Sequence, residues 1–226
     1  DHVVRILNMT ESAVTAVLDC HVATMGSLHI GVVSSVAAVS AQRWFKGFAK
    51  KYPLVNYELV EGDTYGILEK LKNRTIDVAI IRRPFSARGI LTYSLKPQNM
   101  LLIGTKPYLQ DFPKEVSLKQ MEALPLIVYR RWASILDNVF SVKGYSPRII
   151  CVAEDVRTCV SWAAAGLGVA VAPMDIWQGE PRKDLLTKVI KGLVPMAETT
   201  LALNENGCDT TVGRAFVAYF REECGL

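Results

Sequence analysis

The sequence predicts an α/β protein of two lobes, each a parallel-rich sheet covered by helices, with a cleft between them. Three observations lead there. The run from Tyr52 to Pro84 writes out strand, polar turn, helix and strand in order. A second series of the same kind runs from Leu126 to Pro173, and the polar break Lys96, Pro97, Gln98, Asn99 separates the two. Strands alternating with helices at this spacing build sheets with both faces covered, and the cleft between two such lobes is a usual place for a small ligand.

Taken in order, Val3 to about Thr24 reads as one helix, with Val3, Leu7, Val14 and Val17 near one face and Gly26 as its stop. That face has nothing local to pack on, so residues 1–25 read as a connector or pairing helix. Leu28 to Val33 is a short strand ending at Ser34 and Ser35. Val36 to Tyr52 is a helix whose Val36, Val39, Trp44, Phe45 and Phe48 either pack on the sheet or serve in part as an interface.

Val55, Tyr57 and Leu59 alternate with Asn56 and Glu58 at the period of a strand. Glu61, Gly62, Asp63 and Thr64 supply turn and N-cap chemistry before an apolar stripe at Ile67, Leu68 and Leu71, so a helix begins at about Thr64. The unbroken apolar run Ile76, Val78, Ala79, Ile80, Ile81 suits a strand buried on both faces. It delivers Arg82 and Arg83 at its carboxyl end before Pro84, and ligands of open α/β sheets bind outside the carboxyl ends of strands.

Leu91 to Leu95 and Met100 to Gly104 are strands on either side of a crossing near residue 96. Leu126 to Tyr129 is a strand ending in Arg130 and Arg131, and Ala133 to Val142 is a helix. Arg148 to Val152 is a strand, Asp155 to Ala165 a helix capped by Gly166, and Val169 to Ala172 a strand closed by Pro173. Leu185 to Ile190 adds an edge strand, and the chain crosses back near residue 198. Thr199 to Leu203 is a strand, followed by a helix from Asp209 to Glu223 with Val212, Phe216 and Phe220 on its buried stripe.

The 226 residues are 50% hydrophobic, enough for a sizeable core, and the net charge of +4 arises from 26 basic and 22 acidic residues with no Lys/Arg block. A nucleic-acid footprint is not expected on this chain by itself. No apolar run approaches the roughly 20 residues of a membrane helix, and DHVVRILNMTES lacks the pattern of a signal peptide, so a cytoplasmic location is expected. The five cysteines are scattered without a CxxC pair, which indicates neither zinc nor a disulfide framework; Cys151 in a strand and Cys159 in a helix read as buried thiols rather than a redox pair. His2, His21 and His29 accompany no nucleophile motif, P-loop or dinucleotide fingerprint, and Gly166-Leu-Gly168 stands between a helix and a strand, the reverse of the dinucleotide-binding order. Neither enzyme activity, cofactor nor metal is expected.

The segments GSLHIGVVSS, FAKKYPLVNYELVEGDT, ILEKL, IDVAII and AAAGLGVAVAP, in this order and spacing, resemble the effector-binding domain of LysR-type transcriptional regulators over nearly the whole chain. The resemblance implies two Rossmann-like lobes of the type 2 periplasmic-binding-protein kind. Lobe I is then discontinuous, residues 26–96 and 198–226, with lobe II over 97–197 and a linker helix over 1–25. It also implies a homodimer or homotetramer in which the helix near Val36 of one subunit meets the second lobe of another, with Trp44 and Phe48 as candidate contacts. DNA binding is implied only through an N-terminal winged helix-turn-helix that nothing before Val3 supplies, so the chain is expected to be the sensing part of a longer regulator.

Carried over position by position, the resemblance places Ser34 and Ser35 in the loop after the first strand. It places Thr64 at a helix N-terminus, Arg82 at the end of the third strand facing the cleft, Tyr129, Arg130 and Arg131 in the matching loop of lobe II, and Pro173 at the end of AAAGLGVAVAP. Arginine forks favour a small anionic effector, a carboxylate or similar group. The bland alternatives are that the arginines bridge the lobes through Glu61, Asp63 or Glu154, and that Ser34 and Ser35 cap the following helix. Alternation points Arg83 away from Arg82. The expected function is effector sensing and oligomerisation for a transcriptional regulator, with a transporter's solute-binding protein as the alternative.

Overall fold

Apolar runs too long for one-sided burial force the strands into the interior of two sheets, each sandwiched by helices. The computed structural model describes residues 25–179, 182–193 and 198–226; the helix expected from Val3 to Thr24 lies outside them. In the first sheet the strands β1 (Gly26–Val33), β2 (Val55–Gly62), β3 (Val78–Arg82), β4 (Ile90–Ser94) and β11 (Thr199–Asn204) lie in the order β2-β1-β3-β11-β4. The second sheet holds β5 (Met100–Thr105), β6 (Glu115–Ser117), β7 (Pro125–Tyr129), β8 (Arg148–Ala153), β9 (Val169–Pro173) and β10 (Leu185–Lys191), in the order β6-β10-β5-β9-β7-β8.

The sheets are mixed rather than parallel-rich. β1 runs parallel to β2 and β3, and β7 parallel to β8 and β9. The antiparallel pairs gather at the strands flanking the two crossings: β11 with β3 and β4, and β5 with β9 and β10. A chain that leaves one sheet and returns to it later arrives without a βαβ crossover, and so is free to run antiparallel. The expected edge strand at Leu185 to Ile190 lies inside its sheet, because the three-residue β6 pairs with its outer side.

Among the helices, α1 is a continuous helical run of Ser34–Ser40, a π-helical Ala41–Phe45 and Lys46–Lys51. Then come α2 (Thr64–Lys72), the short α3 (Lys106–Leu109) and α4 (Leu118–Met121), α5 (Arg130–Val142), α6 (Val156–Ala164), α7 (Met174–Gly179) and α8 (Thr211–Cys224). Asp63 caps α2, its Oδ1 accepting from the amides of Tyr65 and Gly66 at 2.9 and 3.0 Å. Asp155 caps α6 in the same way, accepting from the Arg157 amide at 2.6 Å. Beyond α6, Gly166 adopts φ +79, the left-handed conformation that ends many helices.

Two cores result. In the first, all five residues of β3 are buried, and α8 returns to pack Phe216 and Phe220 on the aromatics of α1. The Trp44 and Phe220 rings lie 5.0 Å apart, and those of Phe48 and Phe216 5.2 Å apart. Trp44 and Phe48 are 2% and 0% exposed, so the interface reading of these two gives way to the core. The second core gathers Leu102, Ile103, Leu126, Trp132, Leu136 and Phe140 around β9.

Candidate functional site

Each lobe aims the carboxyl ends of its strands, and the helix starts that follow them, at the gap between the sheets. Lobe I contributes the β1–α1 junction, the start of α2 and the end of β3. Lobe II contributes the starts of α5, α6 and α7. The side chains placed there join the lobes through a polar network.

At its centre Arg82, 1% exposed, crosses to lobe II: its Nη2 donates to Asp175 Oδ1 and Oδ2 at 2.7 and 2.6 Å. Nε donates to Ser35 Oγ, and Nη2 also to the Ser35 carbonyl, both at 3.1 Å. Asp175 is 2% exposed on α7, so this is a buried cross-lobe ion pair. Burial pulls the Arg82 guanidinium below its usual range; the charge and hydrogen bond of Asp175 oppose the shift, and the charge of Arg43 adds to it. Arg82 therefore bridges the lobes, through a carboxylate none of the sequence alternatives named. Ser35 holds Arg82 rather than capping α1, whose N-cap is Val33 with no side-chain cap bond.

Arg131 crosses in the opposite direction. From the start of α5 its Nη1 donates to Thr64 Oγ1, and its Nη2 to the carbonyls of Arg82 and Pro84 at 2.7 and 2.8 Å. All three acceptors are neutral. Burial lowers the pKa of this guanidinium first of all, and the charge of Arg82 adds to the shift. Thr64, 2% exposed, is thereby engaged from across the cleft. The Tyr129 hydroxyl shares a hydrogen bond with Ser34, and burial raises its pKa while the charge of Arg131 works against that rise. A fourth link runs from Arg157 Nη2 to Glu61, with Asp155 Oδ2 also accepting from that nitrogen at 2.6 Å.

The remaining expected residues lie elsewhere. Arg130 pairs with Glu154 on its own lobe, both side chains exposed. Arg83 pairs with Glu198 at 2.8 Å and lies over the Phe85 ring. Pro173 is buried at the end of β9, and the next amide, of Met174, donates to the Asn99 carbonyl at 2.9 Å, tying that strand end to the crossing.

Asp175 and Arg157 are the participants the sequence reading missed. The only available signal for Asp175 was a carboxylate two residues beyond a strand-closing proline. Among the described residues no cluster of His, Cys, Asp and Glu is arranged to hold a metal, and no helix is long and apolar enough to cross a membrane. The cleft offers hydrogen-bond donors and a desolvated cation, which is equipment for binding.

The LysR substrate binding domain family matches residues 23–225. The chain is 27% identical over 177 residues to the nitrogen assimilation regulatory protein nac of Escherichia coli (strain K12), covering 76% of this chain and 57% of that protein. It is 25% identical over 152 residues to the HTH-type transcriptional regulator TtuA of Agrobacterium vitis, covering 65% and 50%. The chain thus spans between half and three-fifths of these curated relatives. Similar solved structures include full-length CbnR in complex with its target DNA (TM-score 0.78, 19% identity, 97% of this chain and 76% of that one). The effector binding domain of QuiR with shikimate (0.75, 16%, 89% and 98%) and that of BenM with benzoate (0.73, 21%, 87% and 91%) are also similar. At these identities the structures show a shared fold, that of a two-sheet effector-binding domain.

Proposed function

The chain belongs to the LysR substrate-binding-domain family, and from that premise we propose that its interlobe cleft senses a small anionic metabolite on behalf of a DNA-binding regulator. One observation carries the anionic part: Arg131, half-buried in the cleft, donates to a hydroxyl and two carbonyls and, among the described residues, to no carboxylate. A bound carboxylate supplies the charge-assisted partner that those neutral acceptors do not. Shikimate and benzoate, held by two similar structures, are both carboxylates.

In this reading the anion meets Arg131, with Thr64 and the Tyr129–Ser34 pair as its hydrogen-bonding neighbours. Arg82 and Ser35 lie behind as the support that holds β3 against lobe II, and Pro173 shapes the wall without a polar contact. Binding exchanges the cross-lobe bonds of Arg131 for bonds to the ligand. The lobe arrangement then shifts to the extent that the ligand prefers one arrangement over the other. The regulator to which the domain belongs works on DNA in the cytoplasm through a separate winged helix-turn-helix. A transporter's solute-binding protein would share the fold, but the family match favours the regulator.

Self-association has its own support in the edge strands. β2 leaves Leu59 53% exposed, and β8 leaves Ile150 and Val152 42% and 37% exposed. Apolar side chains on an open edge are a template for pairing. Lobe I of one copy against lobe II of another covers both edges in a homodimer or homotetramer.

Thermal-shift and calorimetric screening of small carboxylates tests the anion reading. A ligand bound by the parent chain should lose at least about tenfold in affinity in Arg131→Ala and keep its affinity in Arg130→Ala. A carboxylate bound equally well by Arg131→Ala would sink the reading.

A further inference from the structure

Among the described residues four strands end the two sheets: β2 and β8 carry the self-association reading, β6 is three residues long, and β4 remains. Its outer side is open. The Leu95 amide donates to the Thr199 carbonyl at 2.8 Å, and in an antiparallel pair each residue turns its N–H and C=O to the same side, alternating along the strand. The backbone groups of Leu91 and Tyr93 therefore face β11, opposite Leu203 and Leu201. Those of Thr92 and Ser94 turn outward, where no strand of the described residues pairs with them. The 2.9 Å side-chain bond between Ser94 and Thr200 fits this alternation, because pairs without backbone bonds bring their side chains closest.

The surroundings of this edge are basic. Arg88 precedes β4 and Lys96 follows it, both exposed, and the guanidinium of Arg221, from α8, lies over the Tyr93 ring at 5.0 Å. Among the described residues none of the three makes an ion pair. Glu205, near Gly89, is an opposing charge at the first end, and Glu198, beside Thr199 at the other, is taken by Arg83. Leu91, 41% exposed, adds an apolar contact on the same face as Tyr93. A second copy of β4 paired antiparallel about Thr92 would set Arg88 opposite Lys96, and like charges facing across strands are destabilising. These charges keep copies of the chain off the edge and suit it to an acidic strand.

We propose that the outer edge of β4 is a docking site for an extended segment of another protein, apolar in its middle and acidic at both ends, which joins the five-stranded sheet as a sixth strand. The outward backbone groups of Thr92 and Ser94 bond to its main chain, the mode of recognition by strand addition. Leu91 takes an apolar side chain, and Arg88, Arg221 and Lys96 take the carboxylates. None of these residues belongs to the cleft network, so partner and effector are able to occupy the domain together. The edge is not remote from the cleft in the sheet: one strand, β11, separates β4 from β3, which carries Arg82.

The test uses the acetylated, amidated heptapeptide DEVTVED, with KKVTVKK and DEVPVED as controls. Amide NMR titration of the 226-residue chain should show saturable shifts at Thr92 and Ser94 with the first peptide, and binding of the controls at least about tenfold weaker. Thr92→Pro removes an outward N–H without breaking a bond to β11, and Arg88→Glu with Lys96→Glu reverses the charges at both ends. Each should weaken DEVTVED at least about tenfold, and the charge variant keeps the test decisive whatever the proline does to the fold. Binding should also weaken between about 0.1 and 1 M salt. In the free chain the amides of Thr92 and Ser94 should exchange with solvent faster than those of Tyr93 and Leu95. Slow exchange at Thr92 and Ser94, no saturable binding at about 10 mM peptide, equal binding of KKVTVKK, or a lower sedimentation coefficient in Thr92→Pro would each overturn the proposal. The last of these would give the edge to a second copy of the chain.

Discussion

Replacing Asp175 by alanine leaves Arg82 as a buried cation without its carboxylate. The two side chains are 3% and 1% exposed and 2.6 Å apart, so solvent does not compensate. Removing one partner of a buried pair costs about 3–5 kcal/mol. Arg82 keeps its bonds to Ser35 Oγ and the Ser35 carbonyl, both at 3.1 Å, which places the expected loss at the low end, about 3 kcal/mol. For a chain of this size that corresponds to a fall in Tm of about 6–12 °C. The double variant Arg82→Met with Asp175→Leu removes both charges together and should lie within about 1 kcal/mol of the parent. Urea unfolding of the parent, the two single variants and the double variant measures the coupling, and small-angle scattering should show the single Asp175 variant expanded, since the pair spans the lobes. A loss below about 1 kcal/mol in Asp175→Ala, or a double variant no more stable than that single one, would refute the reasoning.

Phe48→Asp puts a carboxylate among the aromatics of α1 and α8 and should abolish folding, read by circular dichroism; in contrast, Leu59→Lys or Ile150→Lys should leave the fold intact and lower the sedimentation coefficient at fixed concentration. Asp155→Ala removes the cap of α6 and should cost about 1 kcal/mol. Burial pushes the Asp155 carboxyl up, but the hydrogen bonds and charge of Arg157 outweigh it and hold the group below its ordinary value. Its stabilisation is therefore present above the unfolded carboxylate range and is lost as the pH falls through the lower folded value, so Arg157→Ala should flatten the acid limb of stability against pH. Burial first, with Cys151 and Asp155 adding, pushes the Cys159 thiol up to about 12 from 9.0. The folded state then holds a proton that the unfolded state releases, so stability should decline as the pH rises from about 9 towards 12, and Cys159→Ala should remove that share of the decline. The same thiol should resist iodoacetamide in the folded protein at neutral pH, as a protonated, fully buried sulfur does.

Long periodic segments were legible. The run from Ile76 to Arg82 reads as a strand buried on both faces, and the structure buries every residue of β3. Four short elements were not: β6, α3, α4 and α7 are too short to display a period, and missing β6 turned β10 into an apparent edge. Arg130 and Arg131 read as a pair in a loop, whereas they are the first two residues of α5. Successive residues of a helix point about 100° apart, so one reaches the cleft and the other Glu154 on the surface; which goes where depends on how α5 sits on its sheet. Asp175 lies 93 positions from Arg82, and no local pattern announces a partner at that separation. The glycines of AAAGLGVAVAP have one local and one long-range reason: Gly166 ends α6 with a positive φ, and a Cβ at Gly168 would come within 2.5 Å of the carbonyl oxygen of the distant Pro125.

Strand β11 lies between β3 and β4 and hydrogen-bonds to both, although the whole of the second sheet separates it from them in the chain. On a ribosome the first lobe emerges early and waits with two strand edges unfilled, while the second lobe, continuous in sequence, is able to complete itself first. The first lobe closes only when β11 and then α8 arrive from across the molecule, a late and non-local step whose loop-closure cost falls after the intervening lobe has become compact. Loss of the final strand and helix would strip the middle of a sheet rather than shorten a tail. The order of synthesis thereby delays a finished cleft until β11 and α8 have been made.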